Sequence, residues 1–289
     1  LALIDSFAEF KDDKNIDRVT LMGIIEDVFR NMIVKKYGSD DNFDIIVNPD
    51  KGDLEIWRNR IVVKDEEVED SNAEIAYSDA IKIEPDFEVG EEVSEEVHLI
   101  DFGRRAILSL RQNLINRIQE HDNTDLYNKY KELVGEIISG EVHHIRNREV
   151  IIIDDMDNEV ILPKDQQIRS DFFRKGDTIR GVVKEVQLKG MKPRIVLSRT
   201  SPKFLERLFE QEIPEVADGL IIVKRVERIP GEKAKVAVES YDERIDPVGA
   251  CVGMKGSRIH GIVRELGNEN IDVINYTSNT SLFISRALS

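Results

Sequence analysis

Leu21, Ile24, Ile25, Val28, Phe29, Met32 and Ile33 recur at steps of three and four, the spacing that lays one apolar stripe along a helix. Asp17 and Gly38 stand where such a helix is capped and stopped. Ile4, Phe7 and Ala8 predict a shorter helix ahead of it. β-rich runs at residues 44–47 and 54–57 then flank Asn48-Pro49-Asp50-Lys51-Gly52, and residues 61–63 prolong the pairing, so a hairpin or small meander is expected. Residues 65–96 are crowded with Asp and Glu and show little periodicity beyond Ile81 and Ile83, which reads as an exposed acidic surface. Ile107, Leu110, Leu114 and Ile118 mark a long helix, with a further turn or two over 125–133. From Val134 the pattern changes to short strands: residues 135–142, 149–154, 159–162, 178–188 and 194–198 are five β-rich runs spaced for a small Greek-key barrel. A helix over 203–211 follows, with Phe204, Leu205, Leu208 and Phe209 on one face. Two strands at 220–226 and 233–239 surround Pro230-Gly231, and Asp246-Pro247 opens a short helix. Ile259, Ile262, Val263 and Leu266 carry the next helix, and residues 271–276 a last strand. The fold class expected is multidomain α+β.

Charge divides this chain more sharply than its length does. The net charge of −16 over 289 residues argues against a polyanionic partner. Residues 1–133, however, hold 32 acidic and 17 basic side chains, whereas residues 134–289 hold 25 and 24. Residues 134–199 are mildly basic. One part is thus suited to protein surfaces and another tolerates nucleic acid. Within the acidic part, Arg104 and Arg111 lie seven apart on one helix face; internal ion pairing is the favoured reading of them and a docking site the other. The single cysteine, Cys251, rules out a disulfide framework and a zinc site made of cysteines, reads as a small buried hydrophobe, and makes a reducing cytoplasm the expected compartment. No apolar run approaches the ~18 residues of a membrane span and no basic-then-apolar leader opens the chain. A soluble, monomeric protein is expected, and Leu1 in place of methionine points to a trimmed fragment.

Few stretches carry chemistry. There is no G-x-x-x-x-G-K-[ST] loop, no H-E-x-x-H, and no cysteine–histidine arrangement with a partner, so no enzyme and no cofactor are expected. His143 and His144, adjacent on a strand, are expected to face opposite ways and not to share a metal. Asp154-Asp155-Met156-Asp157-Asn158 lacks the twelve-residue spacing and closing glutamate of a calcium loop and reads as a hairpin turn.

Val252-Gly253-Met254-Lys255-Gly256-Ser257-Arg258-Ile259 is an apolar helix end, a two-glycine loop with one lysine, and the start of a second helix. It resembles the clamp of the KH module, in which bare peptide lets an RNA backbone approach and a helix N-terminus offers N–H groups. The α-β-β-α-α-β order around it resembles the bacterial KH arrangement. Gly253, Met254, Lys255, Gly256, Ser257 and Arg258 are therefore the leading phosphate contacts, with Lys233, Lys235 and Arg244 behind them. Ile259 and Ile262 fit the groove floor or the helix core equally. The five strands closed by Leu197-Ser198-Arg199 resemble the OB-fold RNA-binding domain of the ribosomal S-one class, though Val150, Ile151, Ile152 and Ile153 stand where that class usually has aromatics. Any RNA contact there should rest on His143, Arg146, Arg148, Lys164, Arg194 and Arg199, with little stacking.

Three further stretches, Phe204-Leu205…Leu208-Phe209-x-x-Glu212-Ile213-Pro214-Glu215, Arg228-x-Pro230-Gly231-x-Lys233-x-Lys235-Val236-Ala237-Val238, and residues 246–253 leading into the clamp, are similar to the bacterial NusA family of transcription factors over nearly the whole chain. That resemblance implies an α/β RNA polymerase-binding domain with a long linker helix at 1–133, a five-stranded OB barrel at 134–199 and a first KH domain at 200–289. A second KH domain, usual in the family, is not expected within these 289 residues. It implies binding to RNA polymerase near the RNA exit, to single-stranded nascent RNA and to other antitermination factors, and a role in pausing, termination and antitermination. Arg104 and Arg111 are the candidate polymerase contacts. A ribosomal-RNA-binding assembly factor, or an RNA-turnover protein with the same modules, is the alternative.

Overall fold

The computed structural model describes residues 16–48, 53–190 and 192–289. The expected helix around Ile4, Phe7 and Ala8, and most of the turn at Pro49–Gly52, lie outside the described residues. By contacts the chain forms two compact units, Leu1–Thr124 and Asp125–Ser289.

In the first unit, α1 (Arg18–Tyr37) has the predicted ends: the Asp17 carboxylate accepts from the Thr20 N–H, and Gly38 closes the helix in the left-handed region. Its stripe of Leu21, Ile25, Val28, Phe29 and Ile33 packs with Phe43, Ile56 and the Leu110–Leu114–Ile118 face of α3 (Arg104–Glu132). β1 (Phe43–Asn48) pairs antiparallel with the long β2 (Asp53–Val63), which also pairs with β3 (Glu74–Ala76) and β4 (Glu92–Glu96). The acidic stretch is thus more ordered than its composition suggests. Val62, Ile75, Ala80 and Val93 close a second small core, joined by Phe87 and by α2 (Tyr77–Ile83). Four apolar residues suffice there because the neighbouring carboxylates remain in water.

The second unit begins in the last turns of α3. Strands β5 (Ile137–Arg146), β6 (Glu149–Asp154), β7 (Glu159–Leu162), β8 (Thr178–Lys189) and β9 (Lys192–Ser198) close a barrel in the order β5-β6-β7-β9-β8. Val142, Val150, Ile152, Val160, Leu162, Ile195 and Leu197 fill it. Tyr130, fully buried, plugs it from α3: its hydroxyl donates to the Asp154 carboxylate and accepts from Asn158 Nδ2 at 3.1 Å. Burial raises the Tyr130 pKa, and the bond to Asp154 raises it further. Asp154 Oδ1 also takes the backbone N–H groups of Met156 and Asn158, so this aspartate builds a hairpin turn, as expected. Tyr130→Phe leaves a buried carboxylate oxygen short of its donor. It should lower stability by about 1–2 kcal/mol, read as a lower urea midpoint at unchanged m-value.

After the barrel come α4 (Pro202–Glu212), α5 (Pro214–Ala217), β10 (Ile221–Ile229), β11 (Lys233–Ser240), α6 (Pro247–Val252), α7 (Ile259–Glu265), β12 (Asn270–Asn275) and α8 (Thr280–Leu288). β11 is central, antiparallel to β10 and parallel to β12. Phe204, Leu205, Leu208 and Phe209 pack with Val236, Val238, Cys251, Ile262 and Leu266, and the barrel residues Ile168 and Val182 belong to the same cluster. Burial, with the nearby Glu215 carboxylate, pushes the Cys251 thiol up to about 12, consistent with its packing role. Among the described residues no helix is long and apolar enough to cross a membrane.

Candidate nucleic-acid interface

α6 stops at Gly253, a one-turn loop spans Met254–Gly256, and α7 starts at Ile259. The stop requires glycine twice over: Gly253 has φ +75, and a Cβ there would lie 2.9 Å from both Arg258 Cγ and Ser257 Oγ. Gly256 shares the positive φ but faces open space, where a Cβ would meet only Ile259 Cγ2 at 3.7 Å. It keeps the outer wall of the loop low. Lys255 is also left-handed, at φ 54, so three of the four loop residues turn the chain the same way. Short bonds fix the turn, from Gly256 N–H to the Gly253 carbonyl at 3.2 Å and from Ser257 N–H to the Met254 carbonyl at 3.0 Å.

The loop presents Met254, 88% exposed, with Lys255 and Ser257 beside it. Arg258 does not join them. Its guanidinium is partly exposed but paired, donating to Glu215 at 2.6 Å and to the Ala250 carbonyl at 2.9 Å, and so braces the loop against α5 and α6. The Glu215 carboxyl lies below the usual carboxylate range, held first by a bond from its own backbone N–H and then by Arg258, with burial opposing. Ile262 is fully buried core, and Ile259 packs against the same cluster.

Other candidates separate into exposed and committed groups. On β11 the buried Ala234, Val236 and Val238 alternate with Lys233 and Lys235. The two lysines line a groove on the other side of the strand, against Phe283 and Ile284 of α8, and Lys235 is bonded to Asp272 at 2.5 Å. They do not join the two-glycine loop. Arg244 is 89% exposed and paired with Asp242. In the barrel His143, Arg146, Arg148 and Lys164 are exposed, Arg194 is tied to Glu149, and Arg199 is a structural residue rather than a surface cation. Arg199 is 4% exposed and donates to Asp171 at 2.8 Å, to Glu265 Oε1 at 2.7 Å and to the Glu265 and Arg180 carbonyls. Burial alone would lower its pKa, but the two carboxylates hold it above its ordinary value. Next to it Arg228 and Glu269 form a fully buried pair.

The histidines also depart from expectation. A bulge between Val142 and His144 breaks the alternation and brings the His143 and His144 Nδ1 atoms to 2.8 Å. Among the described residues no group of three or more His, Cys, Asp or Glu side chains could hold a metal ion. Arg104 and Arg111 are exposed, and among the described residues neither is in an ion pair, contrary to the favoured reading. One residue escaped a reading made strand by strand: Phe172, 76% exposed in the β7–β8 connection, where an aromatic doublet followed by Arg174 in a polar loop is the signal.

Comparison with known proteins covers both units. Residues 2–124 match the NusA N-terminal domain and residues 199–276 the NusA-like first KH domain. The transcription termination/antitermination protein NusA of Bacillus subtilis is 32% identical over 287 residues, 99% of this chain and 76% of that protein. Those of Thermus thermophilus and Rickettsia prowazekii are 36% and 34% identical, over 87% and 100% of this chain. The chain spans 65% and 56% of the length of those two relatives.

Proposed function

Because this chain belongs to the NusA family, we propose that it acts as a transcription elongation factor in the cytoplasm, binding RNA polymerase and the nascent RNA and modulating pausing, termination and antitermination. The two-glycine loop carries the RNA half of this reading: a low, left-handed turn between two helices with an exposed lysine at its tip. RNA backbone can approach such a turn at Gly256, where no Cβ holds phosphates away. We assign polymerase binding to residues 1–133, RNA contact to the barrel at 134–199 and the clamp to the KH unit at 200–289, with other antitermination factors as further partners. The acidic excess of the first part disfavours RNA there and leaves the transcript to the second. The loop acts by binding, with no catalytic group.

Added to purified bacterial RNA polymerase on a template with a hairpin terminator, the chain should lengthen pauses and raise the terminated fraction. Residues 1–133 alone should still bind polymerase and fail to bind RNA. Recovery of ribosomal subunits without polymerase in a pull-down would instead favour the assembly-factor reading.

A further inference from the structure

The barrel was expected to lack a stacking surface, and β6 and β7 do lack one. The β7–β8 connection supplies one elsewhere. Phe172 stands largely in water, with the Arg174 guanidinium 5.5 Å from its ring centroid. It lines an open cleft of about 460 Å³ together with Phe173, Ile145, Arg148, Lys164 and Arg169. Arg148, Lys164, Arg169 and Arg174 are all exposed, and none forms an ion pair among the described residues, whereas Arg180, Arg194 and Arg199 of the same barrel are each paired. The one carboxylate lining the cleft, Asp171, is already committed to Arg199.

The β5–β6 turn adds a second observation. Asn147 and Arg148 both have positive φ, 51 and 66, in a two-residue hairpin whose second position favours glycine. An arginine stands there against its backbone preference, and Gln167 Nε2 pins the turn by donating to the Arg148 carbonyl at 2.8 Å. Such a backbone conformation persists only where the surrounding structure holds it.

We propose that this cleft is a binding site for single-stranded RNA, with one base stacked on Phe172 and the adjoining phosphates held by Arg148, Lys164, Arg169 and Arg174. Single strands offer those two surfaces, a π face and a line of negative charge, and base–aromatic stacking tolerates any sequence. Three cations line the cleft, Arg174 stands beside the ring, and the one lining carboxylate is committed elsewhere, which matches a polyanion better than a protein surface of mixed charge. The proposal rests on the RNA-binding reading of the barrel given above, and it locates the stacking in a loop instead of on the strands.

Fluorescence anisotropy of the full chain with a labelled single-stranded RNA of about 12 nucleotides tests it. Phe172→Ala should weaken binding roughly tenfold, and Phe172→Trp should retain it. Arg148→Gly should raise the melting temperature, since glycine suits that φ, while weakening RNA binding and lowering the salt slope by about one. A role in folding alone cannot give that split. If Phe172→Ala and Arg148→Gly bind RNA as the parent does while a Met254→Asp, Lys255→Asp variant does not, the cleft is overturned and the KH reading stands. If none of the variants changes RNA affinity, the RNA-binding reading itself fails. If Phe172→Ala weakens capture of RNA polymerase and leaves RNA affinity unchanged, the surface is a protein contact and the proposal is wrong.

Discussion

Glu269→Ala is expected to destabilise the second unit by about 3–5 kcal/mol, a large part of what a domain of ordinary stability has. Glu269 is fully buried and accepts from Arg228 Nε and Nη2 and from the Gly231 N–H at 2.7 Å. Removing it leaves a guanidinium out of water without its counter-charge and a turn N–H without an acceptor. Arg228 is further tied through Nη1 to the Arg199 and Ser201 carbonyls, so it cannot swing out to solvent without breaking the start of α4. Urea unfolding of the full chain should show an earlier transition for the second unit. An Arg228→Met, Glu269→Leu double variant should recover much of the loss, because an apolar pair of similar volume owes no desolvation. A single variant as stable as the parent would show that the pair is not sealed from water.

Replacing Met254 and Lys255 together by aspartate should reduce RNA affinity by more than tenfold, more than about 1.4 kcal/mol, with stability unchanged. Both side chains are exposed and neither packs on the core, so folding does not depend on them. The left-handed backbone at Lys255 accepts aspartate readily. Two carboxylates at the tip then repel the phosphates that the lysine attracts. The effect should shrink as salt is raised, which separates charge repulsion from a misfolded loop. Equal affinities at fixed salt in a gel-shift titration would reduce the loop to an ordinary turn.

Elements set by local periodicity were legible in the sequence. The stripe of α1, with Asp17 and Gly38 at its ends, needed only the spacing of three and four. β6 and β7 have the predicted limits because Asp154 to Asn158 can make only a tight turn between them. What escaped depends on partners far away in sequence. Ile75, Ala80 and Val93 look isolated among polar and acidic neighbours, and only strand pairing assembles them with Val62 into a core. Arg199 and Arg258 read as surface cations until Asp171, Glu265 and Glu215 come against them. The bulge at Val142 redirects His143 and His144 with no glycine among the bulged residues to announce it.

The buried network around Arg199 and Arg228 has a consequence for how a transcript would be held. It joins the end of β9 to Glu265 and Glu269, so the barrel and the KH sheet meet through side chains that cannot move independently. A strand gripped at both Phe172 and the two-glycine loop would then bridge two sites held on one rigid body. The second contact becomes an intramolecular event with its own effective concentration, so two weak sites can act as one of high avidity.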